Sequence, residues 1–215
     1  MANFLDKVQP KNKIQLKQLV DYAFKHNIYD LNFIDTSKIT DMSHLFCNCM
    51  RNFDVSSWDV SNVTNMRYTF YKCNMFTGKG LENWDVSNVT DMYSMFTWCK
   101  IFNADLSNWD MSNVENAGYM FYCCKNFNCD LSNWDVSKVI NMRHMFRLCK
   151  NFDCDLSNWD VSNVIDMYSM FIACENFKGK GLENWDVSKV KDMNYMFNGC
   201  DKTTIPSWYK LYHRK

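Results

Sequence analysis

Tryptophan recurs along this chain at Trp58, Trp84, Trp109, Trp134, Trp159 and Trp185, with gaps of 26, 25, 25, 25 and 26 residues. A fixed period of that length constrains the fold more than any local propensity does, because a unit of this size cannot bury its apolar side except against its neighbours. Each tryptophan opens the same run. From Trp84 the chain reads W-D-V-S-N-V-T-D-M-Y-S-M-F-T-W-C-K-I-F, and from Trp159 it reads W-D-V-S-N-V-I-D-M-Y-S-M-F-I-A-C-E-N-F. A worn copy starting at Ile34 brings the total to seven units, ending near Cys200.

Within a unit, Val89, Met92, Phe96 and Cys99 stand at offsets of 0, 3, 7 and 10, the spacing of one face of a helix, so the pattern predicts a short helix per unit. Ser112 with Glu115 matches a capping box, and the Asp or Asn before the first Met (Asp41, Asn65, Asp91, Asn116, Asn141, Asp166, Asp192) is a candidate N-cap. Between Phe102 and Trp109 the segment 103–108 predicts a short strand, with Leu106, Leu131 and Leu156 facing inward. The expected fold class is therefore an α/β repeat solenoid, leucine-rich-repeat-like, with one short strand and one short helix per coil of about 25 residues in about seven coils. At strand spacing the stack spans roughly 30–35 Å.

Two units are one residue longer, and they carry Gly78-Lys79-Gly80 and Gly179-Lys180-Gly181. Glycine supplies the positive φ that a bulge needs; a phosphate loop would need a longer glycine spacing ending in Gly-Lys-Ser/Thr. Residues 1–30 read as an N-terminal helical cap, with Asn12 capping a stripe of Ile14, Leu16, Leu19, Val20, Ala23 and Phe24. Residues 31–200 form the repeat region. Residues 201–215 read as a C-terminal cap or tail, where Pro206 breaks the pattern.

Seven of the eleven cysteines share one repeat position: Cys49, Cys73, Cys99, Cys124, Cys149, Cys174 and Cys200. An odd column does not pair off, so it reads as a ladder of buried free thiols in a reducing compartment. Cys129 and Cys154, at one position in neighbouring coils, leave a disulfide geometrically open. Zinc needs four converging ligands, usually two close pairs such as C-x₂₋₄-C; Cys47 and Cys49 are one residue apart and Cys123 and Cys124 adjoin, neither with a matching His pair nearby, and no metal or cofactor is expected. The tryptophans read as pointing inward, with sugar stacking on an outer face as the alternative. The aspartates that follow them (Asp59, Asp85, Asp110, Asp135, Asp160, Asp186) read as local acceptors for the serine two residues on, with calcium bridging as the alternative.

No nucleophile elbow or paired acid and base stands apart from the repeat, so the chain reads as non-enzymatic. His44 and His144 share a position filled elsewhere by Tyr68, Ser94, Tyr119, Ser169 and Tyr195, and such variation is expected of an exposed site. The varied positions carry large hydrogen-bonding side chains: Arg67, Tyr68, Tyr71, Tyr93, Trp98, Tyr119, Tyr122, Arg143, His144, Arg147 and Tyr168. Tyr, Trp and Arg are enriched at binding hot spots, so these eleven are the candidate partner-binding stripe. Lys and Arg total 24 against 24 Asp and Glu, which gives no general attraction to nucleic acid or an anionic membrane. No apolar run is long enough to span a bilayer.

The run Trp-Asp-Val-Ser-Asn-Val-Thr-Asp-Met at 84–92, closing with Met95-Phe96 and Cys99, resembles the repeat of the BspA-like leucine-rich-repeat surface proteins. The resemblance covers about residues 31–200. It implies a leucine-rich-repeat-like solenoid and a role in adhesion or protein binding, in a family found on bacterial surfaces, in protists and in large DNA viruses. Those surface members carry a secretion signal, a lipoprotein cysteine or an anchoring tail; this sequence reads as without them, and an intracellular or virion-associated protein is the expectation. The expected function is a scaffold for a protein partner, with a carbohydrate-binding adhesin or a self-assembling structural component, and hence a homo-oligomer, as alternatives.

Overall fold

The computed structural model describes residues 7–202 and 205–212. Successive repeats lie one on the next. A column of single parallel bridges runs Asp41, Asn65, Asp91, Asn116, Asn141, Asp166, Asp192, one residue per coil.

The predicted helix within each unit does not form, nor does the short strand. Among the described residues the α-helices are α1 (Lys13–Lys25) and α2 (Ser207–Tyr212), both outside the repeats. Each coil is instead a chain of four-residue turns. In the fourth coil the amides of Trp109, Val114, Met120, Tyr122, Cys124 and Phe127 each bond back to the carbonyl three residues earlier, at 2.9–3.2 Å. The apolar residues stand first and fourth in most of these turns, which places both corners inward and the two central residues outward. A spacing of three is common to the helix and to this chain of turns, so the period alone does not separate them. The predicted N-caps serve the same geometry: Asp91 Oδ1 accepts from the Tyr93 amide at 3.0 Å and Asn141 Oδ1 from the Arg143 amide at 3.0 Å, the short Asx bond that opens a turn.

Two turns per coil carry a positive φ at their third residue, as a type II turn requires. Apart from Gly199 in the last coil the residues are not glycines: Tyr68, Ser94, Tyr119 and His144 hold φ of 55–58° in the first turn, and Lys72, Trp98, Cys123 and Leu148 hold 59–66° in the second. The left-handed region costs an L-residue about 1–2 kcal/mol. Bonds between coils offset it. The amides of Met92, Ser94, Phe96 and Trp98 donate to the carbonyls of Asn116, Gly118, Met120 and Tyr122 in the next coil at 2.8–2.9 Å, and the same four bonds recur along the stack.

Two phenylalanine columns fill the interior. Phe96, Phe121, Phe146 and Phe171 stack at 5.7 Å, and within a coil Phe121 lies 4.0 Å from Phe127 and Phe146 lies 4.1 Å from Phe152. Burying each ring contributes roughly 1.5–3 kcal/mol. The tryptophans point inward, 2–5% exposed, and each Nε1–H donates to a carbonyl of the coil before it, as Trp134 does to Leu106 at 2.9 Å and Trp159 to Leu131 at 2.9 Å.

The cysteine column is buried from Cys73 to Cys174 and half-buried at Cys49 and Cys200. From Cys73 onward each thiol donates to the phenylalanine carbonyl of the preceding coil; Cys124 to Phe96 and Cys149 to Phe121 both measure 2.9 Å. All eleven cysteines are free thiols, Cys129 and Cys154 included. These two accept from the amides of Leu106 and Leu131 at 3.1 Å. The aspartates after the tryptophans bond locally, Ser112 N to Asp110 at 2.9 Å and Ser137 N to Asp135 at 3.0 Å.

The extra residue of the two longer units is taken up by a 3-10 turn, Leu81–Asn83 in one and Leu182–Asn184 in the other, each entered through a left-handed glycine. At Gly181, φ is +86° and a Cβ would stand 2.3 Å from the Ser157 backbone. At the N-terminal end Asn12 caps α1 by accepting from Gln15 N, and Leu16, Val20 and Ala23 are buried on the first coil. Ile14, expected in that stripe, is 70% exposed, because it lies on the opposite side of the helix from Leu16 and Val20. At the other end α2 follows Pro206 directly. Residues 1–6, 203–204 and 213–215, which fall in the two predicted caps, lie outside the described residues.

Candidate turn-face site

The left-handed turns form one long face, and all eleven candidate residues lie on it. They sit on turns, not on the expected helices, and they form one network. Arg67, Tyr93, Arg143 and Tyr168 occupy the second position of the first turn, with Tyr68, Tyr119 and His144 at its third. Tyr71, Tyr122 and Arg147 follow three residues after that third position, and Trp98 is the left-handed residue of the next turn.

A ladder of rings runs the length of the face, one per coil. Ring centres of His44 and Tyr68 are 4.6 Å apart, Tyr68 and Tyr93 5.4 Å, Tyr93 and Tyr119 5.3 Å, Tyr119 and His144 4.5 Å, His144 and Tyr168 5.1 Å, and Tyr168 and Tyr195 5.7 Å. Where the third turn position is small (Ser94, Ser169), the preceding residue is tyrosine (Tyr93, Tyr168), and the ring is kept. This ladder corrects the expectation that variable means exposed. His144 is only 5% exposed, Ser94 and Ser169 are buried, and the other ten candidates are half-buried. The variation conserves one ring per coil while changing which residue supplies it.

The cations lie over ring faces. Arg67 sits 4.6 Å from the centre of Tyr93, Arg143 4.1 Å from Tyr168, Arg147 5.7 Å from Tyr122, Lys100 5.7 Å from Trp98 and Lys72 5.2 Å from Tyr71. A cation so placed gains about 0.5–1 kcal/mol at an exposed site and is held in one orientation. Arg67 also pairs with Asp91 at 2.9 Å and Arg143 with Asp166 at 3.2 Å. Burial, with Arg147 and Arg143 adding repulsion, pushes His144 down to about 4, so its ring is neutral at pH 7 and Nδ1 lies 3.5 Å from Arg147 Nη1. Burial, together with the Tyr68 and Tyr119 phenols, pushes Tyr93 up to about 12.

Sequence reasoning missed the acidic partners Asp91 and Asp166, the ladder ends His44 and Tyr195, and the lysines Lys72, Lys100 and Lys125. The ladder ends share the repeat position of Tyr68 and were legible there. Lys100 and Lys125 likewise share a repeat position, directly after the column cysteine, whereas Lys72 stands before it and carries no such signal.

Burial raises the thiols of Cys99, Cys124, Cys149 and Cys174 well above the ordinary range. Among the described residues no group of three or more His, Cys, Asp or Glu is placed to hold a metal ion, and no helix is long and apolar enough to cross a membrane.

Stacked coils, shared columns and one elaborated face define a tandem-repeat protein. The family model described as "Mycoplasma protein of unknown function, DUF285" matches residues 14–131 and 103–208. The chain belongs to that family, a repeat family associated with BspA-like proteins. No curated protein and no solved structure matches the chain.

Proposed function

We propose that this protein is a non-enzymatic scaffold, a solenoid of the BspA-like leucine-rich-repeat kind, that binds a protein partner through the turn face. The observation that carries the reading is the placement of Arg67, Arg143 and Arg147 over tyrosine rings. A half-buried cation fixed on an aromatic frame loses little side-chain freedom on binding, which is the character of a hot-spot residue. The same placement disfavours a carbohydrate adhesin, because a sugar stacks on an open ring face and these faces are occupied. Eleven free thiols favour a reducing setting such as the cytoplasm.

The test is affinity capture of the tagged protein from its natural source, with a variant carrying Arg67→Ala, Tyr119→Ala and Arg143→Ala alongside. The reading expects a stoichiometric protein partner that the variant loses. Recovery of the protein only with copies of itself, or wild-type binding to defined glycans on an array with no protein partner, would overturn it.

A further inference from the structure

The turn face is not electrically uniform. Arg67 and Arg143 are each neutralised by an aspartate of the next coil. Lys72, Lys100, Lys125 and Arg147 stand in four successive coils, and among the described residues none has a carboxylate within ion-pairing distance. Three of them gather around one spot, and Lys72 continues the row over Tyr71. Lys125, Lys100 and Arg147 all act electrostatically on the Cys123 thiol, where burial is the larger influence and raises it. Trp98 and Tyr122 meet edge-on beneath them, 5.9 Å apart. Among the described residues Arg147 Nε is buried without a hydrogen-bond partner, which costs it solvation.

We infer that the segment bounded by Lys72, Lys100, Lys125 and Arg147 is a dock for an acidic stretch of a partner protein, rich in Asp and Glu. This rests on the scaffold reading and names the chemistry of its partner. The chain as a whole balances 24 positive against 24 negative side chains, so an unneutralised group of four is a local asymmetry that calls for an external anion. Carboxylates fit best. Guanidinium and ammonium groups spread over four coils, a span of about 14 Å at strand spacing, face about four or five residues of an extended chain. A single-stranded nucleic acid fits less well, because such strands bind by stacking bases on open aromatic faces. Here Trp98, Tyr122 and Tyr71 have cations over them.

The experiment is fluorescence anisotropy of the purified full chain with a labelled Glu- and Asp-rich peptide, run beside the same peptide with Gln and Asn in place of the acids, a labelled single-stranded oligonucleotide and a labelled copy of the chain. The acidic peptide is expected to bind at least about tenfold more tightly than its amide counterpart and to weaken with salt, as exposed charge pairs do. Lys100→Glu with Lys125→Glu should remove that preference, whereas Lys38→Glu with Lys178→Glu, the same charge change away from the spot, should keep it. If the double variant fails to fold, the salt dependence of the wild type and Arg147→Gln carry the same comparison. Equal affinity for the amide peptide, tighter binding of the oligonucleotide or of a second copy, or equal loss in both double variants would overturn the inference. Capture of a native partner unaffected by Lys100→Glu with Lys125→Glu would overturn it too while leaving the scaffold reading intact.

Discussion

The indole of Trp208 donates Nε1–H to the carbonyl of Leu182 at 2.7 Å, the bond that Trp185 makes to Leu156 one coil earlier at 3.2 Å. Trp208 therefore extends the tryptophan column past the last repeat, from a helix that resembles no repeat. Tyr209 beside it is buried edge-on against Phe197, centres 5.0 Å apart. The C-terminal helix closes the stack by laying one more indole, half-buried, against the end of the core.

Removing that bond has a separable cost. Trp208→Phe keeps an apolar ring but removes one of the two bonds the Leu182 carbonyl accepts, the other coming from the Trp185 amide at 3.2 Å, and a loss of about 0.5–1.5 kcal/mol is expected. Trp134→Ala, in the middle of the column, should cost about 3–5 kcal/mol. Chemical denaturation of both variants checks the order, and equal stability of Trp134→Ala and wild type would refute burial of the column.

The thiol column should be inert in the folded protein. Cys99, Cys124, Cys149 and Cys174 are buried, donate to carbonyls, and have their ionisation disfavoured by burial. With a thiol reagent at neutral pH, the half-buried Cys47, Cys49 and Cys200 are expected to react first and the four column thiols only on unfolding. Peptide mapping by mass spectrometry reads this directly, and native-state labelling of Cys124 would contradict it.

What was legible in the sequence and what was not divides along one physical line. The columns were legible, because a repeated residue in a stacked coil meets its own kind: the inward tryptophans, the thiol ladder and the Asp–Ser bonds all follow from the period. The helix was misread, because apolar residues three apart mark the corners of consecutive turns as well as one face of a helix. Residues such as Tyr93, Ser94, Thr97 and Trp98 are weak helix formers, which was the available sign. The turns themselves left no glycine signature, since bonds to the next coil hold Ser94 and Trp98 in the left-handed region. Trp208 was missed as a column residue because it stands 23 residues after Trp185 and beyond Pro206.

That left-handed strain is testable at Leu148, where φ is 64°. The chain itself places Asn48 and Gly199 at the equivalent position, at 63° and 78°. Leu148→Asn is expected to hold or raise the melting temperature, and Leu148→Ile to destabilise by about 1–2 kcal/mol, since a β-branched residue tolerates this region worst. A more stable Leu148→Ile would contradict the turn geometry.

His144 makes stability depend on pH. Its folded value is depressed from 6.5 to about 4, so the unfolded chain binds this proton first. Its contribution is complete above about pH 6.5, falls as pH drops through the window, and is lost below about pH 4, amounting to at most about 3 kcal/mol. His144→Tyr, which places there the residue of the preceding coil, should flatten the slope of stability between pH 6.5 and 4.5, a window set by the same shift. An unchanged slope in urea titrations would contradict the burial of this ring.

The most direct test of the turn-built coil is the backbone of Met92–Cys99 in solution, read by triple-resonance NMR. Positive φ at Ser94 and Trp98, with cross-coil contacts between the Phe96 amide and the Met120–Phe121 backbone, is the predicted result. Uniformly helical Cα shifts with contacts three residues apart along that segment would contradict it, and with it the ring ladder on which the proposed binding face depends.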